Sequence, residues 1–312
     1  MRVPLIFVWI GQELPYWALD SLKISHKSCG LNTILLTNSS VKKCKFVNTH
    51  IYIENFYNEI LSTDKNFKLT NNFRDGFWIR TIERFLVLRS YVNQQNIKKF
   101  FHAELDNLIF NISELSKKLD AVGEGFFCPR DTYDRGIASL VYINESTTLD
   151  SFSAINFENV GGKFNDMTFL GYKLKNHKNF HTLPTENIFG LKKNEIWKYI
   201  NPAIIGGLFD AASIGQYLFG IDKRNTFLPS FNKFVNPTSG KYLKELIFHL
   251  NLSRNICELE LPNTSKRVNL YNLHVHSKIF SLINDHDKLT ALIGKINVGK
   301  KTMIKSSFGY DR

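Results

Sequence analysis

"RTIERFLVLRSYVNQQNIKKFFHAELDNLIF", residues 80 to 110, decides the fold. Together with the residue before it, its first half sets Ile79, Ile82, Phe85, Leu86 and Tyr91 near helical spacing, which predicts a long amphipathic helix. The short apolar run Phe100 to Ala103 then reads as a buried strand, and it ends in two acids, Glu104 and Asp106, one residue apart. Helix and strand units in this order build parallel sheets. Such sheets gather ligands at the carboxyl ends of their strands, where loops and helix N-termini converge.

The same alternation extends outward. Residues 3–10, "VPLIFVWI", read as a core strand, 14–28 as a helix with Leu14, Trp17, Leu22 and Ile24 mostly on one face, and 32–38, "NTILLTN", as a second strand. Beyond the acids, 111–119 predicts a helix capped by Asn111 or Ser113, 121–131 returns toward the sheet, and 137–144 reads as a further strand. Later segments alternate less cleanly: 206–222 suggests a helix of small residues, 241–251 an amphipathic helix, and 266–280 a strand ending in His-x-His. No internal repeat and no Pro/Ser-rich linker divides the 312 residues, so a single α/β domain is expected.

Composition narrows the classes. The apolar opening is too short for a spanning helix, which needs about 20 residues, and it lacks a small-residue cleavage site, so a cytoplasmic protein is expected. Cys29, Cys44, Cys128 and Cys257 have no metal-binding spacing and fit buried thiols in a reducing compartment. The formal charge of +12 suits phosphorylated ligands, an anionic membrane surface or nucleic acid. Because the basic residues are dispersed as pairs such as Lys42-Lys43 and Lys192-Lys193, and no nucleic-acid-binding motif is present, no nucleic-acid partner is expected.

Glu104 and Asp106 carry the chemistry. Side chains at i and i+2 of an extended chain point the same way, and carboxylate oxygens suit Mg²⁺ or Mn²⁺. The plain alternative is a solvated loop ending a strand, but the apolar residues around these acids make an uncompensated charge costly there. "NLHVHSK", residues 272–278, offers His274 and His276 as a further ligand, with Lys278 beside them. Asn165-Asp166 opens an apolar helical stretch and serves equally as an ordinary cap or as an acid facing a ligand.

Taken together, these stretches resemble glycosyltransferases of GT-A fold, in particular families 8 and 32. Residues 80–115 look like the helix and strand leading into "YLDxDxxxxxDLxEL", and "VPLIFVWIG" is similar to the family 32 opening. Lys278 stands where family 8 has the Lys of "HxxGxxKPW", and Asp166 stands where it has "DQDxLN". Glu104 departs from the pattern by replacing the first Asp, and the Trp of the Lys motif is absent.

The resemblance implies a GT-A (Rossmann-like) mixed, mainly parallel sheet flanked by helices, in one catalytic domain. Residues about 1–110 would bind the nucleotide; about 111–312 would bind the acceptor and complete the metal site, with a helical insertion over about 190–262. Implied too is metal-dependent transfer from a nucleoside-diphosphate sugar, UDP-linked by preference, to a glycan or lipid-linked glycan, with retention slightly favoured. Asp106 would hold Mn²⁺ or Mg²⁺ with Glu104 in support and either His274 or His276, the latter preferred because Lys278 extends from the same face toward phosphate. Asp166 would lie nearest the anomeric carbon, and Trp9, Arg80, Arg84 and Lys278 would seat the donor; outside the resemblance, Asp210, Gln216 and Asp222 lie in a small-residue stretch that serves either close helix packing or hydrogen bonds to acceptor hydroxyls. A basic face could dock on an anionic membrane. Competing readings are a metal-dependent phosphotransferase, weakened by the lack of a phosphate-cradling Gly loop, and a non-catalytic binder of an anionic polymer.

Overall fold

The computed structural model describes residues 3–57, 76–157, 160, 163–189, 199–222, 247–252, 254–261 and 266–280, and the backbone of 292–295 and 305–306. In chain order the first elements are β1 (Leu5–Trp9), α1 (Tyr16–Ser28), β2 (Thr33–Thr37), β3 (Thr49–Tyr52), α2 (Phe77–Gln94), β4 (Phe100–Ala103) and β5 (Asn107–Ile109). Next come α3 (Leu115–Asp120), β6 (Phe126–Thr132), β7 (Arg135–Gly136), β8 (Leu140–Ile143), α4 (Asp150–Ser153), α5 (Asp166–Asn176) and β9 (Phe180–Leu183). The chain continues through α6 (Pro202–Ile205), β10 (Gly207–Leu208), α7 (Ile214–Phe219), β11 (Ile247–Asn251) and β12 (Ile256–Glu260). It closes with β13 (Arg267–Leu270), β14 (Asn272–His274), β15 (Leu292–Lys295) and β16 (Lys305–Ser306).

The central sheet runs β3-β2-β1-β4-β8-β6-β7, with β9 added to β6. β3, β2, β1 and β4 are parallel, β8 is antiparallel to both β4 and β6, and β9 is parallel to β6. This is the mixed, mainly parallel α/β sheet expected. Alternating residues feed two cores: Ile6, Val8, Phe100, Phe126 and Val141 face α2, α4 and α5, while Leu5, Phe7, Phe101, Phe127 and Tyr142 face α1 and α3. Burial on both faces explains why the strands read as continuous apolar runs. Phe85 of α2 stacks on Phe152 of α4 at 4.2 Å, which fixes how α2 lies across the sheet.

A second sheet runs β10-β13-β12-β11-β15-β16 and is antiparallel apart from the β10–β13 pair. It corrects two expectations. Within 241–251, read as a helix, Ile247–Asn251 is a strand paired antiparallel with β12 on one side and β15 on the other, with Phe248, His249 and Leu250 buried and Ile247 and Asn251 half-exposed at its ends. Residues 241–246 lie outside the described residues, as does just under half of the expected helical insertion; its described part is β10 to β12 with two short helices. The strand read over 266–280 is broken at Tyr271 into β13, which joins the second sheet, and β14, which pairs with β5. In 206–222 only Ile214–Phe219 is helical. Among the described residues no helix is long and apolar enough to cross a membrane, and all four cysteines are buried free thiols.

Candidate active site

Glu104 follows the carboxyl end of β4, and the chain turns at once: the Asn107 N–H donates to the Glu104 carbonyl at 3.1 Å, so the two acids sit on a tight turn rather than on an extended strand. β5 then pairs antiparallel with β14, setting His274 opposite Asn107. The Val275 N–H donates to the Asp106 carbonyl at 2.8 Å, which ties the two segments together beside the turn. One ligand atom each from Glu104, Asp106 and His274 lies within 4.8 Å of the others. Two carboxylates and an imidazole fit Mn²⁺ or Mg²⁺ by donor type.

This ribbon is held from both sides. On α1, Ser21, Ser25 and Ser28 fall on one face; Ser21 and Ser25 donate to the Asn107 carbonyl at 2.8 and 3.3 Å, and Ser28 donates to the Ile109 carbonyl at 2.6 Å. Opposite, fully buried Asp210 accepts the His274 N–H at 2.9 Å, together with the N–H groups of Ser213, Ile214 and Gly215. A Cβ on Gly215 would stand 1.8 Å from the His274 carbonyl oxygen, so only glycine lets α7 lie this close to β14. The small residues of this stretch are therefore close packing around the histidine. Asp210, expected at an acceptor, has both oxygens taken by backbone donors.

Asp106 has a basic side chain at each oxygen. His274 Nε2 lies 3.2 Å from Oδ1 and Lys278 Nζ 2.8 Å from Oδ2. Burial alone would raise the Asp106 pKa, but His274 and then Lys278 hold it well below the usual carboxylate range. Burial would lower the pKa of His274, and Asp106 raises it instead. Lys278 also lies 3.5 Å from Asp222 and 5.3 Å from the centre of the Trp17 ring.

His276 is the ligand preferred from sequence, but the histidine that stands with Glu104 and Asp106 is His274. The chain leaves the extended conformation after His274, with the His276 N–H donating to the His274 carbonyl at 2.9 Å, so the two rings do not repeat along one strand face. His276 Nδ1 instead accepts the Asp222 N–H at 3.0 Å. Burial, then the nearby charges of His274 and Lys278, push its pKa down to about 3, leaving it neutral.

Glu104 belongs to a second charge cluster. Arg84, on the buried face of α2, donates through one terminal nitrogen to Glu104 and through the other to Asp166, each at 2.7 Å. Thr81, one turn earlier on α2, donates to the remaining Asp166 oxygen at 3.0 Å. Asp166 is the first residue of α5, placed by a capping box in which the Asn165 side chain accepts from Met167 and Thr168 while Thr168 accepts from the Asn165 N–H. Burial raises the Asp166 pKa, and Arg84 opposes that rise.

The remaining expected residues lie as follows. The Trp9 indole N–H donates to the Glu13 carbonyl at 2.8 Å, and its ring meets Trp17 edge-on, which is packing. Arg80 pairs with Glu83 at 3.0 Å on its own helix. Gln216 is buried on α7, and Asp222 stands beside Lys278 rather than beside Asp210. Sequence reading missed Thr81, Trp17 and the three serines of α1. Helical spacing was their signal: Thr81 precedes Arg84 by three residues, and the serines stand at i, i+4 and i+7. A cavity of about 290 Å³ lined by Lys173, His177, Lys178 and Phe180 lies elsewhere, at the amino end of β9 and the opposite edge of the sheet.

No protein-family model matches the sequence, and no curated protein matches it. The structure is similar to several solved ones. With apo xyloside xylosyltransferase 1 of mouse the identity is 13%, over 59% of this chain and 85% of that one, with a TM-score of 0.38. An active-site variant of LgtC gives 10% identity, 67% and 85% coverage and 0.37. The glycosyltransferase GlyE of Streptococcus pneumoniae TIGR4 gives 12%, 60%, 46% and 0.36, so the chain spans just under half the length of that protein.

Proposed function

We propose that this chain is a metal-dependent glycosyltransferase that moves a sugar from a nucleoside-diphosphate sugar, UDP-linked by preference, to a glycan or lipid-linked glycan acceptor. The observation that carries the reading is the cluster of Glu104, Asp106 and His274 beside the carboxyl end of β4, with Lys278 against it. Loss of a diphosphate leaving group concentrates negative charge on its oxygens, and fixed cations aimed there are usually the largest catalytic term. Asp106 and His274 would hold Mn²⁺ or Mg²⁺ with Glu104 in support, and the metal would neutralise the departing diphosphate. Lys278, on a flexible four-carbon stem, supplies a second positive charge at the same place.

In the transfer, the bond from the anomeric carbon to the diphosphate oxygen breaks and a bond to the acceptor oxygen forms, while the acceptor hydroxyl gives up its proton. Asp166 has both oxygens engaged, one by Thr81 and one by Arg84. That arrangement favours a carboxylate that fixes Arg84 at the sugar over one free to take a proton, which supports retention, with the leaving diphosphate oxygen as proton acceptor. Arg84 in turn has its two terminal nitrogens anchored, the preorganisation expected of a group that positions a sugar.

Thermal stability against a panel of nucleotide sugars, with and without Mn²⁺, tests the reading, because a ligand that binds only the folded state raises the melting point. A Mn²⁺-dependent rise with one nucleotide, lost in Asp106→Ala, is expected. No rise with any nucleotide would defeat it and favour the non-catalytic binder of anionic polymers.

A further inference from the structure

Asp106 is the residue best placed to hold a divalent cation, yet both its oxygens face basic side chains of the protein, His274 at 3.2 Å and Lys278 at 2.8 Å. The two differ in freedom. His274 is locked by the backbone: its N–H is bound to Asp210, and α7 packs on its carbonyl. Lys278 has its backbone fixed in the left-handed region, φ 59°, with its N–H donating to the Val275 carbonyl at 2.8 Å, while its long side chain reaches outward from that anchor. Around its ammonium stand a second carboxylate, Asp222, at 3.5 Å and the face of Trp17 at 5.3 Å. The ammonium thus has a second carboxylate within reach of the first, and a strongly charged diphosphate would offer a better partner than either.

We propose that Lys278 is a removable counter-ion for Asp106: it neutralises the carboxylate until a diphosphate arrives, then transfers to the diphosphate and opens Asp106 to the divalent cation. The inference rests on reading the cluster as a donor site and adds regulation to it. Two consequences follow from charge alone. A cation arriving without diphosphate must compete with the ammonium for the same oxygen and is repelled by it. A cation arriving with diphosphate meets neither obstacle, so the two ligands strengthen each other's binding, and by linkage they do so equally.

The test titrates the folded protein with MnCl₂ and follows the electron paramagnetic resonance signal of free Mn²⁺, with and without UDP, subtracting the Mn²⁺ that UDP holds in buffer. Wild type is expected to bind Mn²⁺ weakly alone and on the order of tenfold more tightly with UDP, within the usual range of coupling between sites. Lys278→Met is expected to bind Mn²⁺ alone on the order of tenfold more tightly than wild type and to lose most of the UDP effect. Lys278→Arg, which keeps a positive charge at Asp106, should bind Mn²⁺ alone as weakly as wild type. Lys173→Met, which removes the same charge at the opposite edge of the sheet, should leave Mn²⁺ affinity unchanged. Met at 278 brings no new backbone strain, since both residues carry a Cβ.

If Lys278→Met bound Mn²⁺ alone no better than wild type while wild type still bound Mn²⁺ with UDP, the counter-ion role would be overturned and the proposed function would stand. Absence of Mn²⁺ binding by every variant, with or without UDP, would overturn both. Should Lys278→Met fail to fold, the wild-type titration still decides, because equal Mn²⁺ affinity with and without UDP contradicts the exchange.

Discussion

Glu104 and Asp106 are separated by one residue, yet the fold assigns them to different partners. Glu104 is tied to Arg84, whose other nitrogen is tied to Asp166, a closed group with little exposure and a guanidinium at its centre. Asp106 faces one imidazole that the backbone fixes and one ammonium on a flexible stem. A delocalised guanidinium that holds two carboxylates in a set geometry serves order, and an ammonium that reaches two carboxylates at unequal distances serves exchange. The turn at Glu104–Asn107 makes the division possible, because it gives each acid its own ion-pair partner while an oxygen of each stays within 4.8 Å of the other.

The largest expected effect lies on the ordered side. Arg84→Met leaves buried Asp166 beside half-buried Glu104 without their cation, and breaking a buried pair in this way costs about 3–5 kcal/mol. Urea unfolding of the metal-free protein should register the loss, and adding Asp166→Asn to the same chain should recover part of it; a loss below about 1 kcal/mol would mean that the Arg84 group does not organise the fold.

The two acids can then be set against each other directly. Asp106→Asn should weaken Mn²⁺ binding by at least ~100-fold, and Glu104→Gln by no more than ~10-fold, while Glu104→Gln should be the more destabilising in the absence of metal. Calorimetric titration and urea unfolding of both variants check this, and the opposite ranking would erase the distinction. A smaller effect is expected from Gly215→Ala, which pushes a methyl group into the His274 carbonyl: about 1–3 kcal/mol of stability and a fall in Mn²⁺ affinity, with no change at the Arg84 group. Unaltered Mn²⁺ affinity would show that α7 does not position His274.

The smallest effect is on pH dependence. His274 has a raised pKa in the fold, so its pairing with Asp106 stabilises fully below the unfolded value of about 6.5 and is lost as pH rises through the folded value. Asp106 has a lowered pKa, so its contribution is present above about 4 and is lost as pH falls through its folded value. The melting point of the metal-free protein should therefore decline on both sides of that window, and His274→Asn should flatten the alkaline decline. An unchanged alkaline limb in that variant would rule out the pair as its source.

Much of this was legible in the sequence, for identifiable reasons. The strands β1, β2 and β4 announce themselves because burial on both faces demands continuous apolar runs, and Asn165 with Thr168 spells out a helix start. Asp106 stands out by residue type at a strand end, and Asp166 and Lys278 by the resemblance in motif order; the fold sets Lys278 against Asp106 and Asp166 against Arg84. The choice between His274 and His276 could not be made, because it depends on where β14 ends, and that is set by pairing with β5 more than 160 residues earlier. β11 was misread because it is brief and follows a stretch with helix-forming Lys, Leu and Glu, so local preference pointed away from the pairing that the second sheet imposes. Asp210 looked like a free acid because the amide groups that it binds carry no mark in the sequence.

The Asn107 and Asn272 side chains are hydrogen-bonded at 2.8 Å across 165 residues, and that span sets an order of assembly. Arg84, Glu104 and Asp166 come from the first 166 residues and can meet while the chain is still being synthesised. Asp106 cannot meet either of its basic partners until His274 and Lys278 have left the ribosome. Contacts of such long separation are the slow ones in folding, so the half of the site that exchanges partners is also the half that is born last, and a chain arrested before residue 274 would carry an ordered Arg84 group beside an acid still held only by water.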